Sequence, residues 1–115
     1  MKSVEEEYIL VFVTFPSEAE ARDITRALVA EKLLACGNII RNLTSIYRWK
    51  GEVAEEAEAL MIGKTRKALF PKIVEKVKSL HTYTVPEIIA LPLSEGYGEY
   101  LSWIDESVRK NGGLV

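Results

Sequence analysis

The order of apolar and polar residues in the first third of this chain predicts a strand followed by a helix. Residues 8–15 are almost continuously apolar and rich in β-branched and aromatic side chains, which predicts a buried central strand that Pro16 ends. Ser17 and Glu20 have the spacing of a capping box, and apolar residues then recur at helical intervals. We therefore predict a helix that begins at Ser17 and ends near Leu34.

The longest β-type pattern runs from Asn38 to Thr65, with Lys50 and Gly51 at its centre. Because glycine adopts positive φ without a steric clash, these two residues predict a tight turn between two strands. Each strand would exceed the usual five or six residues and extend beyond a small domain, exposing apolar side chains. We interpret this overhang as an assembly surface. Its exposed apolar residues are expected to be Ile46, Tyr47 and Trp49.

The rest of the chain completes one α+β domain over residues 1–115. The spacing of apolar residues predicts a helix over about 66–81, a short strand over 87–91 and a last helix over about 99–109. We expect residues 1–7 to be a flexible lead-in and residues 111–115 to be a tail. The order of elements is that of a ferredoxin-like βαββαβ fold with a long central hairpin and an extra C-terminal helix. Both internal helices would cover one sheet face, so further copies of the chain would cover the other.

Composition excludes several classes of partner. The formal net charge of −2 at pH 7 gives no electrostatic reason to expect binding to nucleic acid or to an anionic membrane. No apolar run approaches the roughly 20 residues that a membrane-spanning helix needs. Cys36 is the only cysteine, which excludes an internal disulfide bond and fits a reducing compartment. Residues 1–7 are acidic, unlike the start of a signal peptide, so we expect a cytoplasmic protein.

Two residues are candidates for metal chemistry, and each has a simpler interpretation. His81 follows the second predicted internal helix and could be a metal ligand or a proton carrier, or a cation that complements the helix dipole. Cys36 begins the second predicted strand and could be a soft metal ligand or a nucleophile, or a small buried hydrophobic residue.

Other polar and aromatic residues point to a surface more than to a catalytic site. The acidic run within residues 52–58 is interpreted as a solvated face or as a partner for neighbouring arginines. The sequence has no Cys-x-x-Cys, His-Glu-x-x-His or Gly-x-Ser-x-Gly motif, so we expect no enzyme activity. Aromatic residues with one lysine could line a ligand cleft or an oligomer interface, and both hold if the cleft lies between subunits. These residues are Tyr47, Trp49, Lys64, Tyr83 and Trp103.

Several segments, in this order and spacing, resemble the CutA divalent-cation-tolerance family over residues 8–108. They are Ala35-Cys36, Asn38-Ile39, Thr44 to Glu52, Lys64-Thr65, His81 to Glu87 and Tyr100 to Trp103. The resemblance implies a ferredoxin-like protomer in a tight homotrimer built through the long hairpins, similar in architecture to PII-type signalling proteins. It also implies a link to copper and other divalent cations, with no established catalytic activity.

The sequence departs from the family at the positions where copper ligands have been assigned in some members. Those positions fall at Val13, Leu80 and His81 of this chain, so only His81 retains a ligating side chain. We expect His81 to contact the metal, with Glu87 or Cys36 supplied by neighbouring subunits. We expect a ligand to bind in the clefts between subunits, near Tyr47, Trp49, Lys64, Tyr83 and Glu87.

Three hypotheses for the function follow. The first is a trimeric, non-catalytic protein that binds or responds to copper or another divalent cation. The second is a PII-like module that senses a small organic molecule in the clefts between subunits. The third is a trimeric scaffold for a protein partner. Long strands and dense charges of both signs also predict a thermostable protein.

Overall fold

A computed structural model describes residues 3–109 of the chain, and its elements follow the predicted order. The described part contains four strands, which form a single antiparallel sheet in the order β2-β3-β1-β4. This arrangement confirms the predicted α+β, ferredoxin-like fold with a long central hairpin and an extra C-terminal helix. The elements are α1 (Val4–Glu7), β1 (Tyr8–Phe15), α2 (Glu18–Ala30), β2 (Cys36–Trp49), β3 (Glu52–Arg66), α3 (Phe70–Leu80), β4 (Ile88–Pro92) and α4 (Gly98–Ser107).

One face of the sheet carries the hydrophobic core. Val11 and Val13 of β1 are fully buried there, and Met61 of β3 pairs with Val13 on the same face. Helices α2 and α3 cover this face with side chains such as Leu28 and Ile73, which are also fully buried. The near-continuous apolar sequence of β1 therefore reflects a central strand between β3 and β4, as the sequence predicts.

The hairpin of β2 and β3 extends beyond the rest of the sheet. These strands have 14 and 15 residues, but β1 pairs only with Ala59–Arg66 of β3. The turn is at Lys50 and Gly51, which both have positive φ (50° and 81°). The part of the hairpin between Ala59 and the turn therefore projects past the end of β1, as the sequence predicts for the overhang.

A β-bulge interrupts β2 at Asn42. Ile40 pairs with Leu60 and Leu43 pairs with Glu58, so two residues of β2 lie opposite one residue of β3. Asn42 has φ 61°, in the left-handed region that asparagine tolerates better than most residues. The extra residue shifts the alternation of β2, so that Leu43 faces the same side of the sheet as Ile40.

Two helix boundaries differ from the sequence prediction. Helix α2 ends at Ala30 rather than near Leu34, because Lys32 adopts φ 61° and turns the chain away from the helix axis. The amides of Leu33 and Leu34 instead donate to the Leu28 carbonyl oxygen. Helix α3 begins at Phe70, after a short 3₁₀ turn at Lys67–Leu69, rather than at residue 66.

The N-terminal segment forms a helical turn rather than a flexible lead-in over residues 4–7. Val4 packs against the core, and a carboxylate oxygen of Glu7 lies 3.7 Å from the Arg66 guanidinium. These contacts hold the segment beside the sheet. The predicted tail, 111–115, and the first two residues lie outside the described part.

Helix α4 covers one end of the second sheet face. The Tyr8 hydroxyl donates to Asp105 Oδ2 across 2.7 Å, and the Arg66 guanidinium pairs with the other oxygen of Asp105. The sequence predicted that no helix of the protomer covers this face. Helix α4 covers one end of it, so the prediction holds only for the rest of the face. Away from α4, Ile89 and Leu91 of β4 remain about half exposed. None of the helices within residues 3–109 is long and apolar enough to span a bilayer.

Candidate functional site

A groove of about 930 Å³ lies between the hairpin overhang and the loop that joins α3 to β4. The hairpin wall is formed by Ser45, Ile46, Tyr47, Trp49 and Glu58. The loop contributes Thr82, Tyr83, Thr84, Val85 and Glu87, and Thr14 marks the end of β1 beneath them. The groove therefore brings four of the predicted site residues together: Tyr47, Trp49, Tyr83 and Glu87.

The bulge at Asn42 determines which hairpin residues line this groove. Beyond the bulge, the odd-numbered residues of β2 share a face with the even-numbered residues of β3, as in the pairs Leu43–Glu58 and Tyr47–Ala54. Because side chains alternate along a strand, Tyr47 and Trp49 lie on the same side as Glu58. The sequence prediction did not include Glu58 among the site residues, since this pairing depends on the bulge.

Tyr83 connects the loop to the hairpin. Its hydroxyl donates a hydrogen bond to Glu58 Oε2 across 2.7 Å. Burial raises the pKa of Tyr83, and the hydrogen bond to Glu58 raises this pKa further. Burial also raises the pKa of Tyr47, together with the charges of Glu56 and Glu58. Both phenols therefore remain protonated at neutral pH, beside carboxylates on the hairpin.

His81 lies behind the groove and is part of the core. Its side chain is fully buried and stacks on Phe15, with the ring centroids 5.0 Å apart. Nδ1 accepts a hydrogen bond from the Tyr83 amide at 3.0 Å, so Nε2 carries the proton and donates to the Thr14 carbonyl oxygen at 2.8 Å. Both ring nitrogens are occupied, so this imidazole does not fit the role of metal ligand. His81 is the C-cap residue that ends α3, and a carboxylate oxygen of Glu20 lies 3.4 Å from its Nδ1.

Glu20 holds the start of the same loop. Its carboxylate accepts hydrogen bonds from the amide and hydroxyl of Thr82, at 3.0 and 2.9 Å. The capping box is therefore only half formed: Ser17 Oγ accepts from the Glu20 amide, while the Glu20 side chain turns to the loop. The Ser17–Glu20 spacing was the sequence signal that involved Glu20. It predicted that the Glu20 side chain accepts from the Ser17 backbone amide rather than from Thr82.

Cys36 and Lys64 lie outside the groove. They pair with each other across β2 and β3, and the Lys64 ammonium donates to the Asn38 side chain. Thr14, which lines the groove, pairs with Leu60 of β3. Lys64 lies four residues further along β3 than Leu60, a distance of about 13 Å. The thiol of Cys36 lies 3.6 Å from the Tyr100 hydroxyl on α4. Lys64 therefore does not line the groove of its own protomer, and its place in a cleft between subunits stays a prediction.

The predicted metal set of His81, Glu87 and Cys36 is not assembled within one protomer. Glu87 lines the groove, His81 is buried behind it, and Cys36 is near α4. Among the described residues, no three His, Cys, Asp or Glu side chains are grouped so that they could hold a metal ion. A shared ion would therefore require donors from more than one copy.

Comparison with known proteins gives consistent results across most of the chain. The family model described as CutA1 divalent ion tolerance protein matches residues 9–107. The divalent-cation tolerance protein CutA of Thermus thermophilus is 57% identical over 98 residues, which cover 85% of this chain and 95% of that protein. Protein CutA of Mus musculus is 47% identical over 104 residues, covering 88% of this chain and 59% of that protein. The solved structure of the divalent cation tolerance protein from Thermus thermophilus has a TM-score of 0.85 at 56% identity, covering 87% of this chain and 97% of that chain.

Proposed function

The chain belongs to the CutA1 divalent ion tolerance family, and we propose that it acts in divalent-cation tolerance as a non-catalytic homotrimer. The observation that carries the proposal is the exposed apolar surface of the hairpin overhang. Ile46 and Val53 are 63% and 70% exposed in the protomer. Contact between copies would bury this surface.

The sheet supports the same assembly. Strands β2 and β4 are its outer strands, and each leaves one row of backbone groups without a partner strand. Ile89 and Leu91 of β4 add half-exposed apolar surface on the face that α4 covers only in part. The stoichiometry of three comes from the resemblance to PII-type architecture, in which the long hairpins form the contacts.

For the metal, we propose a site between copies rather than within one. Copper prefers imidazole and soft sulfur donors, and the one histidine uses both ring nitrogens in hydrogen bonds. Glu87 is exposed and Cys36 is half-buried, so these two donors are the available members of the predicted set. An ion held where copies meet would draw on Glu87 or Cys36, while His81 would support the loop.

The test is a copper(II) titration of tag-free protein by calorimetry, with molar mass from light scattering on the same sample. We expect three times 12.9 kDa and a whole number of ions per trimer. Cys36→Ser and Glu87→Gln should weaken copper binding, whereas Glu55→Gln, on the opposite face of the hairpin, should not. A monomer would overturn the assembly proposal, and a trimer without copper binding would overturn the copper proposal.

A second candidate function has its own observation. The groove is lined by three aromatic side chains, Tyr47, Trp49 and Tyr83, which is typical of sites for small organic molecules. We propose as the alternative that the protein senses such a molecule there, as PII-like modules do. A thermal-shift screen tests it, because a ligand that binds only the folded protein raises the melting temperature. Stabilisation by metals and by no metabolite in a broad panel would contradict it.

A further inference from the structure

The polar groups that line the groove are almost all oxygen atoms. Glu58 and Glu87 contribute two carboxylates, and three threonines, one serine and two tyrosines contribute hydroxyls. Among residues 3–109, the Trp49 indole is the only nitrogen-bearing side chain in the lining, and no lysine, arginine or histidine side chain of this range is part of it. The two carboxylates give the lining negative charge, which disfavours anionic ligands.

Glu58 is already oriented for a further partner. The hydrogen bond from Tyr83 uses Oε2, and Oε1 receives no hydrogen bond from residues 3–109. Tyr83 therefore fixes the carboxylate without occupying both of its oxygens. A ligand without positive charge would desolvate Glu58 and Glu87 and leave them without a partner, which costs free energy.

The aromatic side chains of the groove also favour a positively charged ligand. Electron-rich ring faces attract cations, most strongly in tryptophan. One such contact exists beside the groove, where the Lys50 ammonium lies 5.9 Å from the centroid of the Trp49 ring. The alkyl part of a ligand would pack on Tyr47 and Trp49, which are 40% and 62% exposed.

We propose that the groove binds a small organic ammonium ion, with its charged group at Glu58 and Glu87 and its alkyl body against Tyr47 and Trp49. This inference rests on the small-molecule candidate function and specifies its ligand class. Both this proposal and the metal proposal use Glu87, so an ammonium ion and a metal ion would not occupy Glu87 of one protomer together.

The experiment uses the emission of Trp49. The chain has two tryptophans, so Trp103→Phe on α4 leaves Trp49 as the single reporter in the full-length protein. The probe is n-butylammonium chloride, with n-butanol as the neutral control of the same length and sodium butyrate as the anionic control. We expect a saturable change in emission with the ammonium ion and binding at least about fivefold weaker with either control.

Variants test the position of the charge. Glu58→Gln keeps an oxygen that accepts from Tyr83 and removes the negative charge, and Glu87→Gln removes the second charge from an exposed position. Each should weaken n-butylammonium binding by about fivefold or more. Glu55→Gln is the matched control, because Glu55 is on the same strand as Glu58 but on the opposite face. Circular dichroism checks that every variant is folded.

The outcomes separate the ligand class from the candidate function. Equal binding of n-butanol, or equal effects of the Glu58 and Glu55 variants, would overturn the ammonium proposal and leave the small-molecule function standing. No response to any of the three probes would overturn the ammonium proposal, and the metabolite screen would then decide the small-molecule function by itself. Displacement of the probe by copper in the wild-type protein but not in Glu58→Gln would assign the groove to the metal and overturn the proposal as well.

Discussion

Tyr83 donates a hydrogen bond to Glu58 across 2.7 Å, and this contact connects the loop after α3 to the long hairpin. Tyr83→Phe should lower the free energy of unfolding by about 1 kcal/mol, since the bond is lost and the carboxylate loses a donor. Urea unfolding measures the change, and a double-mutant cycle with Glu58→Gln isolates the pair. Tyr97→Phe, at an exposed tyrosine before α4, is the matched control and should change stability by less than about 0.5 kcal/mol. Equal effects of the two variants would contradict the role of the bond.

His81 is expected to be a structural residue. His81→Ala removes a ring stacked on Phe15 and leaves the Tyr83 amide and the Thr14 carbonyl without their partners. The expected loss is about 3 kcal/mol in the free energy of unfolding. Thr84→Ala, at an exposed position of the same loop, should cost less than about 0.5 kcal/mol. A loss below about 1 kcal/mol for His81→Ala would be inconsistent with this role.

The raised pKa of Tyr8 predicts how the free energy of unfolding changes at alkaline pH. Burial, and then the hydrogen bond to Asp105, raise the pKa of Tyr8 to about 12. The unfolded chain ionises its tyrosines near pH 10, so a raised pKa in the folded state means that the unfolded state loses its proton first. This contribution to stability is complete below about pH 10 and is lost as the pH rises toward 12.

Urea midpoints at pH 9, 10.5 and 11.5 measure this loss. The wild-type midpoint should fall over the series, and Tyr8→Phe should show a shallower decline because one ionising group is gone. The decline should be unchanged in Tyr97→Phe, whose tyrosine is 70% exposed. An identical decline in the wild type and in Tyr8→Phe would contradict the assignment.

Substitutions at Gly51 and Gly98 test whether positive φ makes glycine necessary in the hairpin turn, with Gly98 as the control. A Cβ at either position meets no atom within 4 Å, but only Gly51 has positive φ, at 81°. Gly51→Ala should therefore cost about 1 kcal/mol from backbone strain alone. Gly98→Ala, at the first residue of α4, should be neutral or slightly stabilising. Urea unfolding of the two variants compares them, and equal costs would mean that φ is not the cause.

A substitution at Ile46 tests whether the hairpin overhang is the assembly surface. Ile46→Lys places a charge on the exposed apolar part of the hairpin and should dissociate the proposed trimer into monomers of 12.9 kDa. The control is Val29→Lys, at an exposed position of α2 away from the hairpin. Light scattering at several concentrations gives the molar mass. If Ile46→Lys has the mass of the wild-type protein, the overhang is not the assembly surface.

Much of the fold could be predicted because local signals agreed with the tertiary structure. The strand over residues 8–15 was confirmed to the residue, since Pro16 follows it directly. The end of α2 could not be predicted from periodicity, because Leu33 and Leu34 continue the apolar spacing of the helix. These two leucines are buried beyond the helix, after the chain turns at Lys32.

The candidate site was only partly predictable, for a physical reason. Aromatic residues of the overhang and loop were identified because large apolar side chains at exposed positions suggest binding. Glu58 was missed, since its place in the groove depends on the pairing of β2 with β3 beyond the bulge. Lys64 does not line the groove of its own protomer, because residue type alone does not tell how far along a strand a side chain lies from the groove.

The bulge at Asn42 also determines where the hairpin of this protein can lose a single residue. Adding or removing a matched pair of residues at the hairpin tip would lengthen or shorten the overhang and keep every side chain on its present face. Deleting Asn42 alone would remove the bulge and leave Arg41 opposite Ala59, so Leu43 would still pair with Glu58 and Tyr47 with Ala54. A one-codon deletion at the bulge would therefore keep the aromatic wall of the groove in place, whereas a one-codon deletion between Leu43 and the turn would shift the pairing with β3 by one residue and move the side chains beyond it to the other face.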